Sequence, residues 1–227
     1  MVRMEKGKIQ PAKVEVKMKQ NRKSNDLSAI ECRYRFYAVI RSYYFGHLWD
    51  DGQRWLEAVE ILSGLEEFTQ NEDYLSGLFL LQAYDSSAVY EFNRLFVGPG
   101  KLVAPPYESA YLNSEGLLMQ KETLEVREFY RSMGLEVQNK NCEPDDFIGF
   151  EAEFACYLLH QAAKFLAQKD LSNFNLHLTA YRNFFVNHLS KWLPAHCRDI
   201  LANSQNDACR GMALVLAGFL DVEAKNQ

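Results

Sequence analysis

The chain contains 227 residues with a net charge of −5 at pH 7, and 48% of them are hydrophobic and 24% charged. This length is enough for one sizeable core or two small ones, and the acidic balance argues against a general nucleic-acid binder. No apolar stretch approaches the roughly 20 residues that cross a bilayer, and no apolar run follows the basic start as in a secretory leader, so the sequence predicts a cytoplasmic protein without membrane insertion.

The first 25 residues differ from the rest in charge. Residues 1–24 carry eight lysines and arginines against two glutamates, a net charge of +6 that leaves −11 for the remainder. We predict a basic, mobile N-terminal tail over residues 1–25 and a helical domain over residues 26–227. The stretch KVEVKMK alternates apolar and charged residues, so a short strand is the lesser alternative within the tail.

Helical spacing of apolar residues predicts three helices in the first part of the domain. They cover Asp26 to Phe45 with a stop at Gly46, residues 52–66, and Asp73 to Phe96. Residues 98–109, GPGKLVAPPYES, then form a proline-rich connection that is too apolar for a disordered linker. Long connections in compact domains are commonly functional, so this segment is a candidate site.

The second part of the chain predicts four further elements. A helix over 117–133 stops at Gly134, and a polar connection leads to a helix that opens at Pro144 with Asp145 and Asp146 as capping acids. Ser172 is the predicted cap of the next helix, which should break at Pro194, and a short segment precedes a last helix over about 206–222. Since no segment of the body reads as a strand, the predicted fold is a single-domain, all-α, multi-helix bundle.

The search for catalytic and metal-binding motifs is negative. GPGK lacks the glycine spacing and the hydroxyl residue of a phosphate-binding loop, and no G-x-S-x-G, H-E-x-x-H or E-x-x-H pattern occurs. His196 beside Cys197 is a weak metal pair, and the five cysteines, without a C-x-x-C spacing, are expected to be reduced thiols. Asp145 and Asp146 could do acid–base work, but capping is the simpler role. We therefore predict a non-enzymatic binding protein without a cofactor or metal of its own.

Two stretches together resemble the TorD/DmsD/NarJ-type family of cytosolic chaperones for molybdoenzymes. They are YEFNRLFVGPGKLVAPPYESAYL and, some thirty residues later, EPDDFIGFEAEFACYLL. The matching positions are Phe92, Leu95, Phe96, Gly98, Pro99, Ala104, Pro105, Pro106, Tyr107, Ser109 and Tyr111, followed by Glu143, Pro144, Asp146, Ile148, Gly149 and Glu151. The chain departs from the family pattern at Tyr107, commonly tryptophan in the DmsD-like branch, and at Phe147, which replaces a histidine. The resemblance covers roughly residues 28–223.

The resemblance implies a TorD-like helical bundle that binds the twin-arginine signal peptide of a molybdopterin oxidoreductase. Such a chaperone would also contact the body of its client and assist cofactor insertion before export. Recognition of two guanidinium groups and an apolar run needs carboxylates beside an apolar trough. The implied peptide-binding residues are Pro105, Pro106, Tyr107, Glu108, Ser109, Tyr111, Glu143, Asp146, Phe147 and Glu151. Asp146 is the first choice for contact with an arginine, and the trough is expected where the proline segment meets the start of the Phe147 helix.

Three alternatives stay open at this point. One is a NarJ-like assembly factor for a molybdoenzyme subunit that is not exported. Another is a nucleotide-binding or nucleotide-hydrolysing protein that uses Lys101 near the phosphates, although no phosphate-cradling motif supports it. A structural protein without a ligand is the last. A monomer and a domain-swapped dimer are equally compatible with the long connection.

Overall fold

The computed structural model describes residues 11–49, 52–113, 115–138 and 143–226. Within these ranges every regular element is helical, and the predicted all-α fold class is confirmed. The helices are α1 (Pro11–Tyr44), α2 (Gly52–Ser63), α3 (Glu72–Leu81), α4 (Ala88–Phe96), α5 (Ser109–Leu112), α6 (Lys121–Ser132), α7 (Ile148–Ala167), α8 (Leu171–Phe184), α9 (Ser190–Asn203) and α10 (Asp207–Lys225). A π turn, Phe185–Leu189, joins α8 to α9.

Helix α1 begins inside the stretch predicted to be a tail. The backbone of KVEVKMK is helical, which excludes the strand alternative, and residues 1–10 lie outside the described residues. The division into a mobile tail and a helical domain therefore stays a prediction. At the other end, Gly46 has a φ of +79°, a value that glycine adopts without strain, so the predicted stop of this helix is confirmed.

The single helix predicted from Asp73 to Phe96 is wrong, because a turn separates α3 from α4. The indole N–H of Trp55 donates to the carbonyl of Leu81 at 3.0 Å, so a side chain from α2 takes up a backbone group at the end of α3. The carboxylate of Asp85 then accepts from the backbone N–H of Ser87 at 2.6 Å and stabilises the turn before α4.

The predicted break at Pro194 is also wrong, since α9 continues through it to Asn203. A proline inside a helix lacks the backbone donor and costs about 3 kcal/mol. Trp192, Leu193 and Cys197 are nevertheless fully buried around it, and their packing outweighs that cost. The cap of α8 is Asp170, which accepts from the N–H of Asn173 at 3.1 Å, rather than the predicted Ser172.

The core forms between helices that are distant in sequence. Helix α1 packs against α7, α3 against α10, and α7 against α8. Phe36 and Phe219 stack with ring centroids 3.6 Å apart, which joins α1 to α10. Helices α3 and α10 approach closely because glycines face each other: a Cβ on Gly77 would lie 2.6 Å from the carbonyl oxygen of Gly211.

A buried arginine joins three parts of this core. Arg33 of α1 binds both carboxylate oxygens of Glu67, at 3.0 and 2.8 Å, and its Nε lies 2.7 Å from a carboxylate oxygen of Glu223 in α10. The hydroxyl of Tyr181 also donates to Glu223, at 2.8 Å. The two glutamates raise the pKa of Arg33 further, so its charge is permanent in the core.

Cys32, Cys156, Cys197 and Cys209 are free thiols, and Cys142 lies outside the described residues. None of the described helices is both long enough and apolar enough to cross a bilayer.

Candidate functional site

The two family-like stretches meet in the structure. Residues 98–109, which we call the proline strap, leave α4 and run to α5. The N–H of Ile148 donates to the carbonyl of Pro106 at 3.0 Å, and the N–H of Glu108 donates to the carbonyl of Asp146 at 3.1 Å. Tyr107 and Phe147 form an isolated antiparallel bridge between these bonds. The strap is therefore fastened to the start of α7 through its backbone.

The aromatic side chains at this junction point inward. Tyr107 and Phe147 are each 8% exposed, and their ring centroids are 5.8 Å apart. Phe147 also contacts Phe45 and Phe150, at centroid distances of 5.5 and 5.7 Å. The phenylalanine that replaces the family histidine thus belongs to an aromatic cluster that links the strap to α1 and α7.

Asp145 and Asp146 do not cap α7 as predicted, because Phe147 occupies the N-cap position. The Oδ2 atom of Asp145 instead accepts from Nε and Nη2 of Arg127, at 3.0 and 2.6 Å. Asp146 is fully buried, and its Oδ2 accepts from the backbone N–H of Ser109 at 2.7 Å. Asp146 therefore provides an acceptor for a backbone N–H in the first turn of α5, which has no partner within that helix.

Glu108 and Glu151, on the two sides of the junction, are buried like Asp146. Both carboxylate oxygens of Glu108 lie 3.1 Å from Nδ1 of His188 in the π turn. Glu151 accepts from the indole N–H of Trp192 at 3.1 Å. Burial, followed by the nearby carboxylate of Glu108, raises the pKa of Glu151 well above its usual range. These acids interact with each other and with the interior of the protein.

Glu143 is the exposed acid of the predicted set. The hydroxyl of Tyr107 donates to its carboxylate at 2.7 Å. Burial and this carboxylate both raise the pKa of the Tyr107 phenol, so the phenol stays a donor at neutral pH. The contact places one carboxylate at the surface edge of the strap.

His196 fastens the far end of the strap region. Its Nε2 lies 2.7 Å from the hydroxyl of Tyr44, and its Nδ1 lies 3.1 Å from the hydroxyl of Tyr111. Burial lowers the pKa of His196 to about 3, so the imidazole is neutral. Tyr111 also stacks on Trp192, at a centroid distance of 5.6 Å.

Sequence reasoning missed the roles of His188, Trp192 and His196. Their spacing of four residues places all three on one face of a continuous helical segment. That spacing, in a helix rich in apolar residues, is the signal that could have indicated a row of ring nitrogens facing buried polar groups: Glu108, Glu151 and the hydroxyls of Tyr44 and Tyr111.

An open groove borders the aromatic cluster and has a volume of about 830 Å³. We call it the α1–α7 groove. Its aromatic lining comes from Tyr34, Phe45, Tyr130, Phe150, Phe154 and Tyr157, and its acids are Glu136 and Glu153. Arg41 of α1 lies 3.6 Å from Glu153 across the groove.

The predicted residues therefore divide by access. Pro106, Tyr107, Glu108, Ser109, Asp146, Phe147 and Glu151 are buried, Pro105 and Tyr111 are half-buried, and Glu143 is exposed. Across the described ranges, His, Cys, Asp and Glu side chains form no group of three or more that could hold a metal ion. The structure brings the predicted residues together, but in the closed arrangement described here most of them contact each other.

Comparison with known proteins gives a family and several relatives. The family described as nitrate reductase delta subunit matches residues 80–198, which include the strap and α7. The chain is 30% identical over 105 residues to a Haemophilus influenzae protein named "Probable Tat proofreading chaperone DmsD", across 44% of this chain and 48% of the relative. It is 32% identical over 105 residues to a chaperone protein TorD of Vibrio cholerae, across 46% of each.

The chain thus spans about half the length of the curated relatives it matches. A crystal structure of a protein from Archaeoglobus fulgidus, assigned to redox enzyme maturation, aligns with a TM-score of 0.47 and 21% identity. That alignment covers 84% of this chain and 93% of the other.

Proposed function

The chain belongs to the nitrate reductase delta subunit family, the NarJ/TorD group, and from that premise we propose that it is a cytoplasmic maturation chaperone for a molybdopterin oxidoreductase. It would bind the twin-arginine leader of its client, assist cofactor insertion before export, and carry out no reaction of its own. The relatives named as Tat proofreading chaperones support the leader as the ligand.

The observation that carries this proposal is the position of the α1–α7 groove beside the strap. Phe45 and Phe150 line the groove, and both contact Phe147, whose ring in turn contacts that of Tyr107. An apolar run would find aromatic surface in the groove, and most of the energy of such recognition comes from buried aromatic anchors. Glu143, at the exposed edge of the strap, would receive a guanidinium group next to that run.

Asp146 remains the first candidate for contact with the second arginine, but it is buried behind Ser109. A guanidinium group can reach its carboxylate only if the strap moves away from α7. Residues Pro105, Pro106, Glu108, Ser109, Tyr111 and Glu151 would take part in binding through the same movement.

A binding titration with a labelled peptide tests the proposal. The peptide carries two consecutive arginines followed by an apolar run, and its partner has lysines in their place. We expect the arginine peptide to bind at least tenfold more tightly, because only guanidinium groups pair with carboxylates in a bidentate manner. Equal binding of both peptides would exclude twin-arginine recognition and favour the assembly of a client without an export leader.

Variants of the chain locate the site in the same titration. Asp146→Ala should weaken binding by on the order of 1–3 kcal/mol. Asp146→Asn keeps an acceptor for the Ser109 amide while it removes the charge, and should lose a similar amount if the carboxylate holds an arginine. Glu57→Gln on the exposed surface of α2 is the matched control. Unchanged affinity in both Asp146 variants would remove this residue from the site.

A further inference from the structure

We propose that the proline strap is latched in its closed position by a proton shared between Glu108 and Glu151, so that the strap opens as pH rises. The latch is a property of the free protein. Its use for client binding rests on the proposed function, because opening would uncover the residues assigned above to the leader.

The latch joins two separate pieces of the chain. Glu108 belongs to the strap, whereas Asp146 lies just before α7 and Glu151 lies in its first turn. All three acids are no more than 1% exposed. The N–H of Glu108 also donates to the carbonyl of Asp146, so the backbone holds Glu108 against the segment that carries the other two acids.

The side chains that face this acid cluster come from α6, α9 and the π turn, which pack around it. Tyr130 of α6 lies close enough for all of these acids to raise the pKa of its phenol, and Trp192 of α9 donates to Glu151. His188 of the π turn contacts Glu108 and is the basic side chain in hydrogen-bonding contact with the cluster among the described residues. Arg127 of α6 pairs with Asp145 instead.

The hydrogen bonding of the cluster requires an additional donor. The Oδ1 atom of Asp146 and the Oε1 atom of Glu151 are buried and have no hydrogen-bond partner among the described residues. A carboxylate can only accept, so two ionised glutamates in contact repel and leave Oε1 of Glu151 unsatisfied. A proton on Glu151 turns one oxygen into a donor toward Glu108 and removes one buried charge.

The direction of the pH dependence follows from this exchange. The pKa of Glu151 is raised in the closed protein by burial and by Glu108, whereas a solvated glutamate in the open strap would have an ordinary pKa. The closed state therefore binds the proton more tightly and is favoured at low pH. Between the ordinary and the raised pKa, the ratio of open to closed strap should increase about tenfold per pH unit for one released proton, and above the raised pKa it should become constant.

Amide hydrogen exchange of the full chain from pH 6 to 10 tests the latch without any client. The reporters are the backbone amides of Glu108, Ser109 and Ile148, which all donate across the junction. After correction for intrinsic exchange, their protection should fall by up to about tenfold per pH unit until Glu151 is ionised in the closed protein, while that of α10 stays constant. A junction whose protection follows α10 across this range would overturn the proposal.

Three variants identify the titrating group. Glu151→Gln mimics the protonated acid, since its amide can donate to Glu108 and accept from Trp192, and should keep the strap protected at high pH. His188→Gln and the surface variant Glu57→Gln should retain the pH slope of the parent. A slope that disappears in His188→Gln but persists in Glu151→Gln would assign the proton to the imidazole and refute the shared acid.

Far-UV circular dichroism checks that each variant is folded. Glu108→Gln gives an independent test of the same pair and should also reduce the slope. The peptide titration is performed separately, at one pH, so the two proposals can fail independently. If the amide protection depends on pH but no peptide binds, the proposed function is wrong. If peptide binds but the amide protection does not depend on pH, the latch is wrong.

Discussion

His196 shows how one buried residue fixes the region of the proposed site. Its two ring nitrogens face the hydroxyls of Tyr44 and Tyr111, which lie on α1 and α5. A neutral imidazole has one donor and one acceptor, so it can satisfy both hydroxyls at once. The residue that sequence reasoning considered as a weak metal ligand beside Cys197 is thus an internal connector.

We expect His196→Ala to lower the free energy of unfolding by on the order of 3 kcal/mol, because it leaves a cavity and removes a partner from the buried hydroxyl of Tyr44 and the half-buried hydroxyl of Tyr111. Urea unfolding at pH 7.5 measures this loss. His160→Ala, on the exposed face of α7, is the control and should change stability by no more than about 0.5 kcal/mol.

His196 also makes the free energy of unfolding depend on pH. The unfolded chain binds a proton at a histidine below its ordinary pKa of about 6.5, whereas the folded protein does not until about pH 3. Stability from His196 is therefore complete above pH 6.5 and is lost as the pH falls. Between pH 7.5 and 5.5 the parent should lose about 1 kcal/mol more than His196→Ala, and equal losses would show that the imidazole is protonated in the folded state.

Residue types could be assigned to the candidate site from the sequence, but their burial could not. Each family-like pattern is a short stretch that can be read from the sequence, and the prediction that the segments of Pro106 and Asp146 meet at one junction is confirmed. Whether a carboxylate faces solvent or an internal partner depends on residues far away in sequence. Asp146 pairs with an amide 37 positions earlier, and Glu108 with a histidine 80 positions later.

At the scale of elements, helix ends were predictable where one residue determines the backbone. Gly46 and Gly134 adopt positive φ and end their helices as predicted. The turn between α3 and α4 contains neither glycine nor proline, and the contact of Trp55 with Leu81 that accompanies it comes from another helix. At Pro194 the error was the opposite one: a helix end was predicted where α9 continues, because the packing of buried neighbours outweighs the tendency of proline to end a helix.

The contact between α3 and α10 gives a prediction at this scale. Gly77→Ala should destabilise the protein by about 1–3 kcal/mol, because the new Cβ would lie 2.6 Å from the Gly211 carbonyl oxygen and 2.7 Å from the Val215 nitrogen, and both are backbone atoms. Thermal unfolding measures the effect. Gly64→Ala, where a Cβ would meet only atoms at 3.5 Å or more, should unfold like the parent. A tolerated Gly77→Ala would mean that the two helices can separate at little cost.

At the scale of the whole molecule, Arg33 connects α1, the segment after α2, and α10. Its side chain is largely buried, and it pairs with two glutamates. Arg33→Ala should lower the free energy of unfolding by about 3–5 kcal/mol, because Glu223 is then left as a buried charge.

Arg35→Ala provides the comparison for this change. Arg35 pairs with Glu31 on the exposed face of the same helix, and its loss should cost no more than about 0.5 kcal/mol. Urea unfolding of both variants measures the difference. Similar losses for the two variants would show that the three-part contact adds no stability beyond a surface ion pair.

The pairing of α1 with α7 and of α3 with α10 has a consequence for biosynthesis. A ribosome releases the N-terminal helices long before their partners, so Phe36 has no Phe219 to stack upon until the final helix emerges. Contacts between distant segments also slow the search for the native topology. The nascent chain must therefore pass through a stage in which its apolar helix faces are exposed to water. A protein proposed to be a chaperone thus itself depends on other chaperones, or on fast folding, during its synthesis.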